Sequence, residues 1–251
     1  ILFEFIQEIL DDERVYYSFE EIEAYRAILK KNHTIIQVND LGAGSNVLGN
    51  KTERKISDIA SSSLITPSWG QFLFRLMQHY APKKVLELGT SLGISGAYIS
   101  TALPHLSSKL YTVEGCENIA NIAKSTFDHF DLKNVKQYVG DFSSYLSKFK
   151  NEHVKFDIIF IDGNHTKDAT LQYFEDCQHL VHSNSIIIFD DIHWKSEMNE
   201  AWHQICDSPN VKLSIDLFKY GIIFFGSEIK EKQHFTLIKS KFKWWKMGFF
   251  R

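Results

Sequence analysis

The stretch Lys84–Gly96, Lys-Val-Leu-Glu-Leu-Gly-Thr-Ser-Leu-Gly-Ile-Ser-Gly, restricts the folds open to this chain more than any other segment. Val85, Leu86 and Leu88 read as a short strand apolar enough to be buried on both faces, and Gly89 permits a sharp turn at its carboxyl end. A helix is expected from Gly93 onward. The first amides of such a helix have no intrahelical partner and its dipole is positive at that end, so the turn predicts a cradle for an anion or carboxylate. A dinucleotide fingerprint, Gly-x-Gly-x-x-Gly, needs a second glycine so that backbone can approach a pyrophosphate, and that position here is Ser91. A side chain there disfavours the pyrophosphate and leaves room for a smaller carboxylate.

Downstream, apolar strands at 110–114, 135–139, 156–161 and 185–189 alternate with helical patterns at 93–102, 117–129, 167–181 and 195–206. That alternation predicts right-handed crossovers and a mainly parallel sheet. The runs 211–217 and 220–225 are joined by only a few residues, so they form a hairpin and at least one strand is antiparallel. Upstream, residues 1–32 read as two helices, the second opened by a capping box at Ser18 and Glu21 and carrying Ile22, Tyr25, Ile28 and Leu29 on one side. They form a packing layer, a lid or a homodimer element. The segment 35–45 also runs from a strand-like stretch into glycines, but a helix over 52–62 follows it rather than a strand ending in an acid about 20 residues on, so it is expected to be a polar hairpin or loop. Thr66 and Pro67 then open a helix with the stripe Phe72, Leu73, Leu76, Met77 and Tyr80, ended by Pro82.

In open parallel sheets the ligand crevice lies beyond the carboxyl ends of the strands, and acids recur there. Glu114 ends the second core strand, where a carboxylate can accept hydrogen bonds from both hydroxyls of a ribose, the alternative being an ordinary exposed glutamate. Glu87 sits inside the first strand, where its charge must be paired. Asp141 follows the third strand, where capping of a helix beginning at Phe142 is the alternative role. Asp162 follows the fourth and Asp190-Asp191 the fifth. If those two strands are neighbours, at about 4.8 Å, the carboxylates repel unless a cation or a proton lies between them. An oxygen-only ligand set suits magnesium, calcium or manganese; the alternative is hydrogen bonding to helix amides and to the cofactor. His165 and His193 flank these acids and are candidates for a general base, or else are capping side chains.

Glu-Leu-Gly-Thr-Ser-Leu-Gly-Ile-Ser at 87–95 resembles motif I of the class I S-adenosylmethionine-dependent methyltransferases, particularly bacterial small-molecule O-methyltransferases, and the order of elements extends the resemblance over about residues 84–226. The resemblance implies an α/β, doubly wound, mainly parallel Rossmann-like sheet with a reversed last strand, divided as an N-terminal helical extension (1–80), a cofactor-binding core (81–228) and a basic aromatic tail (229–251). It implies that S-adenosyl-L-methionine is held by Glu87, Gly89, Thr90, Ser91, Gly93, Glu114, Gly115, Asp141, Phe142 and Asp162, with Asp141 accepting from the adenine amino group. The activity implied is methyl transfer to a small-molecule acceptor, foremost at a hydroxyl oxygen, with His165, His193 and Asp162 as catalytic candidates. Asp162, Asp190 and Asp191 are the ligands if Mg2+ or another divalent cation takes part; catechol-type and caffeoyl-CoA-type O-methyltransferases have Asp-Asn where this chain has Asp190-Asp191. An NAD-type oxidoreductase, which Glu114 also permits, and a non-catalytic cofactor-binding domain are the alternatives.

The net charge of −3 gives no electrostatic footprint for nucleic acid. Three cysteines without a C-x-x-C pair suit a reducing, cytoplasmic setting, and there is no apolar run of the roughly 18 residues a transmembrane helix needs. The segment 239–251 mixes cations and aromatics without an acid; packing on the parent domain or a partner subunit is favoured over binding a membrane or nucleic acid.

Overall fold

A computed structural model describes residues 1–38, 52–226 and 229–238. Its internal contacts divide the chain into two compact units, Ile1–Tyr145 and Leu146–Arg251. The glycines at 42 and 44, Lys51, and the basic aromatic segment 239–251 lie outside the described residues. No helix among the described residues is long and apolar enough to cross a membrane.

The first unit begins with α1 (Leu2–Phe5), continued by a π-helical turn, Ile6–Leu10, and α2 (Tyr17–Lys30). The expected capping box is not formed: Ser18 is already inside α2, whose N-cap is Tyr16 with no side-chain cap bond. The helix starts early because Tyr16 packs its ring against Phe19 and Phe74, at 5.3 and 4.6 Å between centroids, and aromatic burial outweighs a hydroxyl cap. A short antiparallel pair follows, β1 (Ile35–Gln37) and β2 (Glu53–Lys55), with Ile36 opposite Arg54. Residues 53–55 are therefore strand rather than the start of the expected helix, which is α3 (Ile56–Ser62). Pairing with β1 satisfies backbone groups that a helix would otherwise have claimed.

Next, α4 (Pro67–Tyr80) ends at Ala81 in the left-handed conformation, and Pro82 cannot extend it. Then β3 (Lys84–Leu88), α5 (Ile94–Ala102), β4 (Lys109–Glu114), α6 (Glu117–His129) and β5 (Val135–Val139) alternate as the periodicity requires. The strands β3, β4 and β5 are parallel, with Glu87 opposite Thr112 and Glu114 opposite Val139. The N-terminal helices pack as a layer on α4 and α5. Tyr98 Oη donates to Glu23 Oε1 at 2.7 Å, and the Tyr98 ring lies over Gly70, where a Cβ would overlap it. The unit boundary falls inside α7 (Phe142–Asn151).

The second unit contains β6 (Ile158–Ile161), α8 (Lys167–Gln178), β7 (Ile186–Phe189), α9 (Ser196–Asp207), and then β8 (Leu213–Asp216), β9 (Gly221–Phe224) and β10 (Gln233–Thr236). All four residues of β6 and all four of β7 are buried, as continuous apolar runs demand, each such side chain contributing about 1.5–3 kcal/mol. The reversed strand is β9, which lies between β7 and β8 and is antiparallel to both. The segment expected to be all tail contains a strand, since β10 pairs in parallel with β8 from Gln233 to Thr236. Its exposed, polar sequence carries no apolar alternation, so only the open edge of β8 reveals it.

Candidate functional site

In the first unit the site is built around the β3–α5 turn. Gly89 and Gly93 have positive φ of 105° and 84°, and Ser91 between them adopts 48°, a left-handed conformation uncommon for a residue with a side chain. At Gly93 a Cβ would also lie 3.1 Å from the Phe127 ring, so both shape and backbone require glycine there. Among the described residues no side chain caps the amino end of α5. The first amides of a helix without such a cap have no intrahelical partner and can meet an anionic or carboxylate group.

Glu114 braces this turn. Its Oε2 accepts from the Ser91 amide at 2.9 Å and its Oε1 from the Cys116 amide at 3.0 Å, so one carboxylate spans Gly115 and ties two loops together. Behind it lies a relay of buried polar groups. Thr112 Oγ1 donates to Glu87 Oε2 at 2.6 Å and lies 2.5 Å from Thr90 Oγ1. Since Thr112 has one hydroxyl proton and gives it to Glu87, Thr90 is the donor to Thr112. Glu87 is fully buried, which is tolerable only because such donors meet its charge. Thr112 was not apparent as a site residue from the sequence, although a threonine between apolar neighbours in a buried strand was the available signal.

Asp141 follows Gly140, whose φ is 144° and whose amide donates to the Glu114 carbonyl at 2.9 Å. Its Oδ2 accepts from the Ser144 amide at 2.9 Å and from Ser144 Oγ at 3.1 Å, so it caps α7, and Phe142 is the half-buried first residue of that helix. The capping role foreseen for Asp141 is present in the structure. Its second oxygen is not engaged by Ser144.

In the second unit the carboxyl ends of β6 and β7 do lie side by side, Ile161 being opposite Phe189. This brings Asp162 and Asp190 together, and among the described residues Asp162, His165 and Asp190 each offer an atom within 4.8 Å of the others. Asp191, with φ of 52°, is not in that group. The cation that the paired acids require comes from a different part of the chain. Lys219 Nζ lies 2.8 Å from Asp190 Oδ1, 3.0 Å from Asp190 Oδ2 and 2.8 Å from Asp191 Oδ1. The expected trio Asp162, Asp190 and Asp191 thus fits poorly to a divalent ion: both oxygens of Asp190 and one of Asp191 already face an ammonium, which would repel a second cation bound to the same atoms.

The charges follow this arrangement. Burial disfavours an ionised Asp162, but His165, Asp190 and Lys219 outweigh it and hold the carboxyl below its usual range. Burial and the neighbouring Asp162 push Asp190 upward, with Lys219 pulling it back. Burial also works against the charge on Lys219, yet Asp190 and Asp191 hold its ammonium above the ordinary lysine value.

The two histidines have different surroundings. His165 Nε2 is 3.5 Å from Asp162 Oδ1, and its ring meets Trp194 edge-on at 5.7 Å. His193 instead puts Nε2 2.7 Å from Asp216 Oδ2 and packs its ring against Phe218 at 5.0 Å, so it joins the loop after β7 to the turn after β8. Neither Lys219 nor Asp216 was recognised from the sequence; a lysine in a hairpin turn carries no local signal of an ion pair with acids 28 and 29 positions away.

Residues 86–192 match the family model described as a methyltransferase domain. A catechol O-methyltransferase from Niastella koreensis is 31% identical over 130 residues, covering 51% of this chain and 58% of that relative. The chain thus spans little more than half of that relative's length. Among solved structures, the O-methyltransferase from Bacillus cereus in complex with SAH aligns at 21% identity with a TM-score of 0.59, covering 88% of this chain and 94% of that one. A putative O-methyltransferase from Klebsiella pneumoniae aligns at 16% identity with a TM-score of 0.62, covering 87% and 94%. At these identities the structural likeness speaks for the fold.

Proposed function

Taking residues 86–192 as a methyltransferase domain in the class I fold, we propose that this protein transfers a methyl group from S-adenosylmethionine to a hydroxyl oxygen of a small molecule. The observation that carries the reading is the bracing of the glycine turn by Glu114 through the Ser91 amide, in a turn whose helix has no side-chain cap. Gly89, Thr90, Ser91 and Gly93 hold the carboxylate end of the cofactor, with Glu87 buried behind them. Glu114 and Gly115 hold the ribose, and Asp141 and Phe142 the adenine. Asp162 is assigned to both cofactor and acceptor by the resemblance of its position after β6. S-adenosylmethionine supplies an electrophilic methyl carbon on a sulfonium.

His165, beside Asp162, takes the acceptor's hydroxyl proton as the new O–CH3 bond forms and the S–CH3 bond breaks. The residues contribute chiefly by holding the oxygen in line with the methyl carbon, and no covalent intermediate on the protein is needed. His193 is tied by its Nε2 to Asp216 and acts by fixing the loop that follows β7. The catechol O-methyltransferase relative makes phenolic hydroxyls the first acceptors to try. Lys219 already faces the oxygens of Asp190 and Asp191 that a divalent ion would need, which supports methyl transfer without a metal.

Calorimetric titration with S-adenosylhomocysteine, and with NAD on the same preparation, tests the cofactor. Micromolar binding of the first alone is expected. Binding of NAD, or silence from both, overturns the reading.

A further inference from the structure

We propose that the Lys219 ammonium, paired with Asp190 and Asp191, is the resident cation beside the acids that end β6 and β7, so that this site takes up no divalent metal ion. The proposal does not rest on the methyltransferase reading; it stands on geometry alone. Two adjacent parallel strands deliver Asp162 and Asp190 to neighbouring positions, and the next residue, Asp191, adds a third carboxylate. Such a group needs a cation or a proton among its oxygens. Lys219 Nζ provides the cation, with three contacts of 2.8–3.0 Å to Asp190 and Asp191.

The lysine is not a surface side chain that happens to lie near acids. Its side chain is only 27% exposed, and the turn that presents it is fixed at several points. The Leu217 amide donates to the Tyr220 carbonyl at 2.8 Å, and the Phe218 amide to Asp216 Oδ1 at 2.8 Å. Phe218 is held at φ of 74°, against the His193 ring. The Ile192 amide donates to the carbonyl of Lys219 itself at 3.3 Å, so the loop bearing Asp190 and Asp191 grips the residue that pairs with them. A side chain so placed loses little further freedom in pairing with the acids, which is what makes an ammonium competitive with a hydrated metal ion.

Removing the ammonium without removing bulk, as in Lys219→Met, leaves Asp190 and Asp191 without their paired cation beside Asp162 and His165 and should create a metal site where there was none.

Titrating Mn2+ into the protein, with the free ion followed by electron paramagnetic resonance, reads this without any activity assay. The wild-type protein and Lys219→Arg are expected to leave Mn2+ free, whereas Lys219→Met binds one ion at least tenfold more tightly than wild type. Adding Asp162→Asn to Lys219→Met should abolish that gain. A stoichiometric micromolar Mn2+ site in the wild-type protein overturns the proposal. So does a Lys219→Met protein that still binds S-adenosylhomocysteine but takes up Mn2+ no better than wild type. If Lys219→Met does not fold, Lys219→Arg decides: intact cofactor binding with Mn2+ left free supports the proposal, and stoichiometric Mn2+ uptake by this variant refutes it. Failure to bind S-adenosylhomocysteine in the wild type would sink the methyltransferase reading and leave the Mn2+ result standing.

Discussion

The amide of Ser91 donates a 2.9 Å hydrogen bond to Glu114 Oε2, joining the glycine turn after β3 to the end of β4. The same carboxylate receives the Cys116 amide through its other oxygen, so its loss releases two loops at once. Glu114→Ala is expected to weaken S-adenosylhomocysteine binding at least tenfold, about 1.4 kcal/mol, with Glu114→Gln in between because it keeps one acceptor oxygen. Isothermal calorimetry on both variants measures this, and wild-type affinity in Glu114→Ala would remove Glu114 from the site.

Thr112 supplies a buried proton to Glu87 across the β3–β4 pair. Thr112→Val keeps the shape and deletes the donor, leaving the carboxylate short of a partner in the core. Chemical denaturation should show a loss of about 1–3 kcal/mol, largely restored in Thr112→Ser.

Gly221 opens β9 beneath Trp202, and a Cβ there would stand 2.6 Å from the indole Cζ3. Trp202 is itself 1% exposed and has nowhere to move. Gly221→Ala is expected to cost about 1–3 kcal/mol by overpacking, seen as a lower thermal midpoint with altered tryptophan emission.

His165 and His193 are separable by kinetics. His165→Ala should lower kcat on an accepted hydroxyl compound by roughly 10²–10⁴-fold while S-adenosylhomocysteine affinity stays at the wild-type value. His193→Ala breaks the link to Asp216 and should lower the thermal midpoint as well as the rate. Equal, mild effects on rate from the two variants would refute the assignment of the base.

Asp12 offers a pH test of stability. Burial raises its carboxyl, but hydrogen bonds and charge from Arg14, with Arg75 at 3.4 Å, outweigh it and hold the group below its usual value of 3.8. A depressed carboxyl contributes stability that is present above the unfolded value and is lost as pH falls through the folded one. Thermal melts between pH 5 and about pH 2.5 should therefore fall less steeply for Asp12→Asn than for the wild-type protein.

The elements legible in the sequence are those whose cause is local or periodic. The run from Lys84 to Leu88 is strand because its apolar residues suit burial on both faces, and the turn at Gly89 and Gly93 follows from backbone conformations that glycine tolerates. The acids at 114, 162, 190 and 191 could be placed at strand ends for the same reason. What escaped was set by neighbours distant in the chain. The start of α2 depends on Phe74 meeting Tyr16, residues 53–55 are strand because β1 lies alongside, and β10 exists because β8 presents an edge.

In the sequence, Asp162 and Asp190-Asp191 end consecutive strands, and if those strands are parallel neighbours the carboxylates come close enough to need a cation or a proton between them. Which cation answers that need was decided by the tertiary structure alone. Lys219 reaches the cluster from a hairpin turn 28 residues beyond Asp191, and only the return of β9 against β7 brings its ammonium to 2.8 Å, a placement that no local propensity encodes.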